Sequence, residues 1–200
     1  MRILLLIGVL TAPLALAEPA FSEPTSREVQ AIHLRDFHTK GIVKKEAVAQ
    51  DAIQRICTVT NDRPSAEVAR QLEADQMKSI AFPSGLMGDW KRGEDIAQSG
   101  RGMTFSDAAG TPNGGSCYNC HQMAAKEISY GTLGPSLQGF GRKRGGGADT
   151  QKYVYGKIYN AKAYNACSQM PRLGWSGTLT EQQIRDLVAY LLDPASPVNE

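Results

Sequence analysis

The sequence predicts an all-α fold, and three observations carry that prediction. Near the C-terminus Ile184, Leu187, Val188, Leu191 and Leu192 recur at i, i+3, i+4, i+7 and i+8, which puts apolar side chains on one helical face. Helix-compatible stretches alternate with segments rich in Gly and Pro that forbid regular structure. No stretch sustains the apolar–polar alternation of a half-buried strand.

The elements follow in order. Met1 and Arg2 give a short positive start, Ile3 to Leu16 is an almost unbroken apolar run, and Ala15-Leu16-Ala17 is an A-x-A cleavage site before Glu18. Residues 1–17 therefore read as a cleaved secretory signal peptide, leaving 183 of 200 residues to be exported. No later run reaches the roughly 18 apolar residues of a membrane span, so no membrane anchor is expected. Without Arg2 there are 21 basic and 20 acidic side chains, a balance that argues against a nucleic-acid protein.

After a Pro-rich leader to Thr25, residues 26–79 read as helical, with Ala47, Ala52, Ile53 and Ile56 as one apolar stripe. The run stops near Asn61-Asp62-Arg63-Pro64. Ser65 then caps a helix with Val68, Ala69, Leu72 and Met77 on its apolar side. Phe82-Pro83-Ser84-Gly85 marks a boundary, dividing an extension (18–87) from a domain (88–200). Residues 88–98 read as a short helix, 100–116 as loop, the C-x-x-C-H segment from Cys117 as the opening of a short helix, 130–147 as loop, and 150–160 as a helix with Val154, Ile158 and Tyr159 on one side. Thr180 and Gln183 form a capping box for the last helix, which ends at Asp193-Pro194.

Chemistry concentrates at Cys117-Tyr118-Asn119-Cys120-His121, a C-x-x-C-H string. Two thiols at this spacing add across the two vinyl groups of a haem, and the next residue, His121, is held under the iron as axial ligand. The string occurs once and predicts one covalently attached haem c. A redox dithiol or half a zinc site would lack the His, and no second Cys pair has zinc spacing. Met170 is the candidate second iron ligand, giving His/Met axial ligation. It lies in a polar loop followed by the rigid Pro171, and a thioether opposite His raises the reduction potential relative to a second imidazole. Met77, Met87, Met103 and Met123 read as core fillers, and His33 and His38 as surface or cap residues. The Pro135 carbonyl is a candidate acceptor for the second ring N–H of His121, as ligating histidines usually need; its alternative is an ordinary turn proline.

These motifs, over residues 88–194, resemble class I cytochromes c: an early helix with Gly93, C-x-x-C-H, Gly134-Pro135-x-Leu137, and Met170-Pro171 before an amphipathic helix. The resemblance implies that first and last helices cross with Gly93 against Tyr190, and that Trp175 borders the haem. A narrower resemblance is to the SoxX family, monohaem subunits of thiosulfate-oxidising SoxAX complexes. It rests on the cysteine-bearing extension, on Ser84-Gly85-Leu86-Met87-Gly88-Asp89-Trp90-Lys91-Arg92-Gly93, and on Asn165-Ala166-Cys167-Ser168-Gln169-Met170-Pro171-Arg172. It implies a periplasmic location, a SoxA-type cytochrome partner and oxidative conjugation of thiosulfate to a cysteine of the carrier SoxYZ. The sulfur chemistry would reside on the partner, as an L-cysteine S-thiosulfotransferase. Electrons would pass through this chain to a soluble cytochrome c, with no catalytic residue here.

Cys57 and Cys167 remain outside the motif in an oxidising compartment, where thiols tend to pair. They are expected to join the extension to the Met170 loop, or one of them to join the partner subunit. Arg142-Lys143-Arg144 either steers acidic partners or forms a solvated basic turn. The competing functions are a free-standing electron shuttle, a haem enzyme or gas sensor with an open iron site, and a structural partner in which haem is only a folding staple.

Overall fold

The computed structural model describes residues 24–102 and 104–200; the signal segment and Met103 lie outside them. Seven α-helices occur among the described residues: α1 (Ser26–Asp36), α2 (Ala52–Val59), α3 (Ala66–Met77), α4 (Trp90–Gln98), α5 (Phe140–Arg144), α6 (Ala148–Tyr159) and α7 (Glu181–Leu192). Extended pairing is limited there to one antiparallel bridge, Lys40 with Val43. The fold is all-α.

Local chemistry starts most of these helices. Thr25 with Glu28, Asp51 with Gln54, and Thr180 with Gln183 form capping boxes, while Ser65 and Asp89 accept from the first turns of α3 and α4. Asn61 and Asp62 at φ 49° and 58° turn the chain out of α2, a conformation these two residue types tolerate best.

The main core gathers α4, α6, α7 and the chain end around Met123, Val154, Tyr155, Ile184, Leu187, Val188, Tyr190 and Val198. All five residues of the predicted α7 stripe are buried. Each large aliphatic side chain there contributes roughly 1.5–3 kcal/mol by leaving water. A smaller core lies between α2, α3 and the loop before α7: Ile53 and Cys57 from α2 meet Ala166 and Cys167, with Ala69 and Leu72 of α3 alongside.

The crossing of α4 on α7 is the closest helix contact. A Cβ on Gly93 would stand 2.1 Å from the Asp186 carbonyl oxygen and 2.7 Å from the Tyr190 Cβ. Asp186, 2 % exposed, ties the crossing electrostatically. Its carboxylate accepts from the Asp89 N–H at 2.8 Å, the Arg92 Nε–H at 2.9 Å and the Gln182 amide at 2.8 Å. Burial alone would raise this carboxyl, but the Arg92, Asp89 and Gln182 donors outweigh it and hold it below its ordinary value.

Several local expectations need correction. The stretch 26–79 is not continuously helical: residues 37–44 are irregular, Ala47 sits in a separate 3-10 turn (Lys45–Val48), and Ala47 and Ala52 are exposed. Val68 is 41 % exposed, because α3 packs through Ala69, Leu72 and Met77 instead. Residues 130–147 contain α5. Asn199 from the chain end accepts from the Gly141 N–H at 2.9 Å and so supplies a cap that no local reading contains.

Two outcomes follow. Gly93→Ala should lower unfolding free energy by about 3 kcal/mol, since overpacking against backbone outweighs the ~1 kcal/mol gain in helix propensity; chemical denaturation checks it. The depressed Asp186 carboxyl contributes stability that is present above the ordinary carboxylate pKa of about 4 and lost as pH falls through its lower folded value. Thermal midpoints measured down the acid range should therefore fall less steeply in Asp186→Asn than in the parent.

Candidate haem site

The C-x-x-C-H string forms a 3-10 turn (Cys117–Asn119) rather than opening an α-helix. Ser116, at φ 49°, swings the chain into it. The turn is then held by a loop instead of by its own next helical turn. The N–H groups of Gly131, Gly134 and Leu137 donate to the carbonyls of Tyr118, Cys120 and Gln122, each at 2.8 Å. Those carbonyls are thereby taken, which accounts for the missing helix.

This loop delivers the Pro135 carbonyl to His121, whose Nδ1 lies 2.7 Å from that oxygen. As donor, Nδ1 carries the ring proton and Nε2 keeps its lone pair for a metal. Gly134 makes the approach possible: a Cβ there would lie 2.1–2.7 Å from three atoms of the imidazole.

Cys117 and Cys120 are free thiols, both half-buried. Burial pushes the Cys117 thiol up to about 12. That is the opposite direction from the lowered value that makes a cysteine thiol reactive. Two thiols one turn apart, followed by an imidazole with a fixed tautomer and an open Nε2, fit covalent attachment and axial ligation of haem. Cys117, Cys120 and His121 would hold it, and Pro135 would orient His121.

Met170 is half-buried, packs on the main core as Cys117 does, and donates its N–H to the Ser168 Oγ at 3.2 Å. Trp175 is 45 % exposed, with the Arg172 guanidinium 3.7 Å from its ring centroid. Both line a 370 Å³ cavity with Cys57, Lys162 and Arg172, and that lining includes none of Cys117, Cys120 and His121. Cys57 and Cys167 are joined in a disulfide 110 residues apart in sequence. Arg142, Lys143 and Arg144 are exposed on the last turn of α5, with no ion-pair partner among the described residues. His33 and His38 are exposed. Met123 is buried in the core, against which Met77 and Met87 also pack.

Sequence reasoning assigned no role to Asp51, Lys162, Arg172 or Asp186. Their partners lie far along the chain or in an irregular loop. A signal did exist for Gly134, since its Pro neighbour marks an ordered turn.

The cytochrome c family profile matches residues 92–193. An uncharacterized lipoprotein of Aquifex aeolicus (strain VF5) is 35 % identical over 161 residues, which cover 78 % of this chain and 76 % of the relative. The crystal structure of SoxXA from P. pantotrophus overlaps with a TM-score of 0.42 at 24 % identity, over 60 % of this chain and 89 % of that one. The chain belongs to the cytochrome c family, whose members carry covalently bound haem and transfer electrons.

Gly134→Ala should push the imidazole off the Pro135 carbonyl while leaving the helices intact. Loss of such an orienting contact typically costs 10–100-fold in ligand affinity. A rise in high-spin iron in the visible spectrum, with unchanged far-UV circular dichroism, is the expected readout.

Proposed function

We propose that this chain is the electron-accepting monohaem subunit of a SoxAX-type complex. The observation that carries the reading is the allocation of its four cysteines. Cys117 and Cys120 form the attachment motif, and Cys57 and Cys167 are joined to each other. No thiol is left over to act as a sulfur nucleophile, which suits the subunit that takes electrons while its partner does the sulfur chemistry. The division into an extension, 18–87, and a haem-bearing domain, 88–200, belongs to the same reading.

Bound at this site, haem supplies a one-electron iron couple. The protein's part is to keep that couple closed and tuned. His121 would offer Nε2 to the iron, with its ring oriented by the Pro135 carbonyl. We assign Met170 as the second donor, with Trp175 bordering the pocket. Conjugation of thiosulfate to a SoxYZ cysteine removes two electrons in all. A one-electron subunit would accept them singly and pass each to a soluble cytochrome c.

A partner of the SoxA type also suits α1. None of that helix is buried, and Val29, Ile32 and Leu34, with Phe37 just beyond, are exposed. A freely diffusing shuttle has no use for such an uncovered apolar surface. Covalent haem attachment and the signal-like N-terminus support an extracytoplasmic site for this chain, the periplasm in our reading; the relative's lipoprotein name also speaks for an extracytoplasmic location. No helix among the described residues is long and apolar enough to cross a membrane.

Tagged mature protein drawn from periplasm of thiosulfate-grown cells should bring down one stoichiometric haem-staining partner. Recovery of a lone monohaem protein would sink the complex and leave a free shuttle. Met170→Ala should let the reduced protein bind carbon monoxide, which the parent excludes; an unaltered spectrum and no binding would reject Met170 as ligand.

A further inference from the structure

The segment from Asn160 to Arg172 has little structure of its own. It contains one 3-10 turn, Ala161–Ala163, and is otherwise irregular. Lys162 stiffens it from within, donating through Nζ to the carbonyls of Ala166 (3.3 Å) and Ser168 (3.2 Å). Its other polar anchors come largely from the extension. At the start, the Asn160 amide donates to Gln76 Oε1 at 3.1 Å and Ser79 Oγ at 3.0 Å. In the middle, the Ala166 N–H donates to Glu73 Oε1 at 3.1 Å, and Cys167 is bonded to Cys57. Towards the end, the Gln169 amide donates to Asp62 Oδ2 at 3.0 Å.

Arg172 completes the set, two residues beyond Met170. Its side chain is 9 % exposed. The guanidinium pairs with Asp51, reaches Gln76 Oε1 at 3.4 Å and lies over Trp175. A cation so deeply placed is held where its carboxylate is, because separating them would leave an unpaired buried charge. Asp51 is itself fixed, since its other oxygen caps α2 by accepting from the Gln54 N–H at 2.9 Å.

We propose that the N-terminal extension is a brace for the Met170 segment, in which Asp51 and Gln76 act through Arg172 as positioning residues and the Cys57–Cys167 bridge is a second, covalent anchor. Its effect is to hold the thioether on the iron and so keep small ligands out. This rests on the assignment of Met170 as axial ligand. It gives the extension a task inside the subunit, distinct from any surface it offers a partner. A loop of about a dozen irregular residues would otherwise sample many conformations, each ordered residue costing about 1–2 kcal/mol of backbone entropy. Anchors at both ends and the middle remove most of that freedom before the ligand bond forms.

Asp51→Asn isolates the charged contact. Asn still caps α2, being as good an N-cap as Asp, but its amide then presents a donor to the Arg172 donors. The haem-loaded, full-length protein is compared as parent, Asp51→Asn and Gln76→Ala, with Asp75→Asn as control, since Asp75 is exposed and, among the described residues, accepts from Lys78 and Gln71 alone. Two readouts are taken: hydrogen exchange of the amides of residues 165–172, and affinity of the ferric protein for imidazole. Asp51→Asn should speed exchange in that segment, weaken the methionine–iron charge-transfer band and tighten imidazole binding about 10-fold, the low end for loss of a supporting contact. Gln76→Ala should move the same way by less, reduction of the disulfide further, and Asp75→Asn not at all. Parent-like exchange and imidazole affinity in both Asp51→Asn and Gln76→Ala would overturn the brace, and Gln76→Ala decides alone if Asp51→Asn does not fold. Met170→Ala separates the two ideas. If it leaves imidazole binding unchanged, the ligand assignment falls and the proposal with it, even where exchange shows the extension ordering the segment.

Discussion

The close crossing of α4 and α7 is the contact from which the rest of the domain is hung. At Gly93 the two backbones approach to a distance that no side chain would permit. The Asp186 carboxylate then fixes the N-terminal end of α4 by gripping Asp89 and Arg92. The far end of α4 sets the attachment motif. Gly115 donates its N–H to the Ile96 carbonyl at 2.7 Å, and Ser116 to that of Ser99 at 3.0 Å. On the other side α7's capping residue Gln183 donates to the Asn113 carbonyl at 2.7 Å, while Asn113 donates to the Thr178 carbonyl at 2.8 Å. The irregular approach to Cys117 is thus held by both crossed helices, and a shift in their crossing would be passed to the two thiols.

The chain end performs a similar service on the opposite side. Asn199, buried, donates to the carbonyls of Leu191 and Asp193 and accepts from the N–H groups of Gly141 and Arg142. One side chain therefore satisfies the open carbonyls at the end of α7 and the open amides at the start of α5. The loop that carries Pro135 to His121 is consequently pinned at its far end to the same helix that α4 crosses. Gly139, whose N–H donates to the Val198 carbonyl at 2.6 Å, closes the connection.

What could be read in the sequence follows the range of the forces involved. The signal in α7 was complete, because its stripe and capping box are contained within a dozen residues. The attachment motif was equally legible, since its chemistry depends on fixed local spacing. Residues 130–147 were misread because α5 is capped by Asn199, 58 residues from Gly141. The extension was read as too regular. Composition suited a helix throughout, but none of α1 is buried among the described residues, and the following residues take irregular paths. Asp186 left no trace in pattern reading, since a carboxylate on an amphipathic helix ordinarily belongs to the wet face. Only the approach of Asp89 and Arg92 from another helix makes it an interior group.

The two candidate iron ligands illustrate the same distinction within the site. His121 is supported by a carbonyl 14 residues away and by backbone hydrogen bonds from the same loop. Once Cys117 and Cys120 are fixed, its position is nearly determined by short-range geometry. Met170 is held differently: Lys162 and Ser168 stiffen its segment locally, but the anchors that fix the segment to the rest of the molecule come from Asp51, Glu73 and Gln76, on or beside α2 and α3 and roughly 90 to 120 positions earlier. Such long-range contacts close late and cost chain entropy to bring together, so they are worth keeping only where they do something local contacts cannot. Here they order the irregular segment that carries Met170, the ligand we propose. A methionine has three rotatable bonds and a soft donor, and its alignment must be imposed by its surroundings. Under the ligation proposed for Met170, the second core and the bridge between Cys57 and Cys167 would impose that alignment from α2 and α3, and would make those helices part of the proposed electron-transfer site.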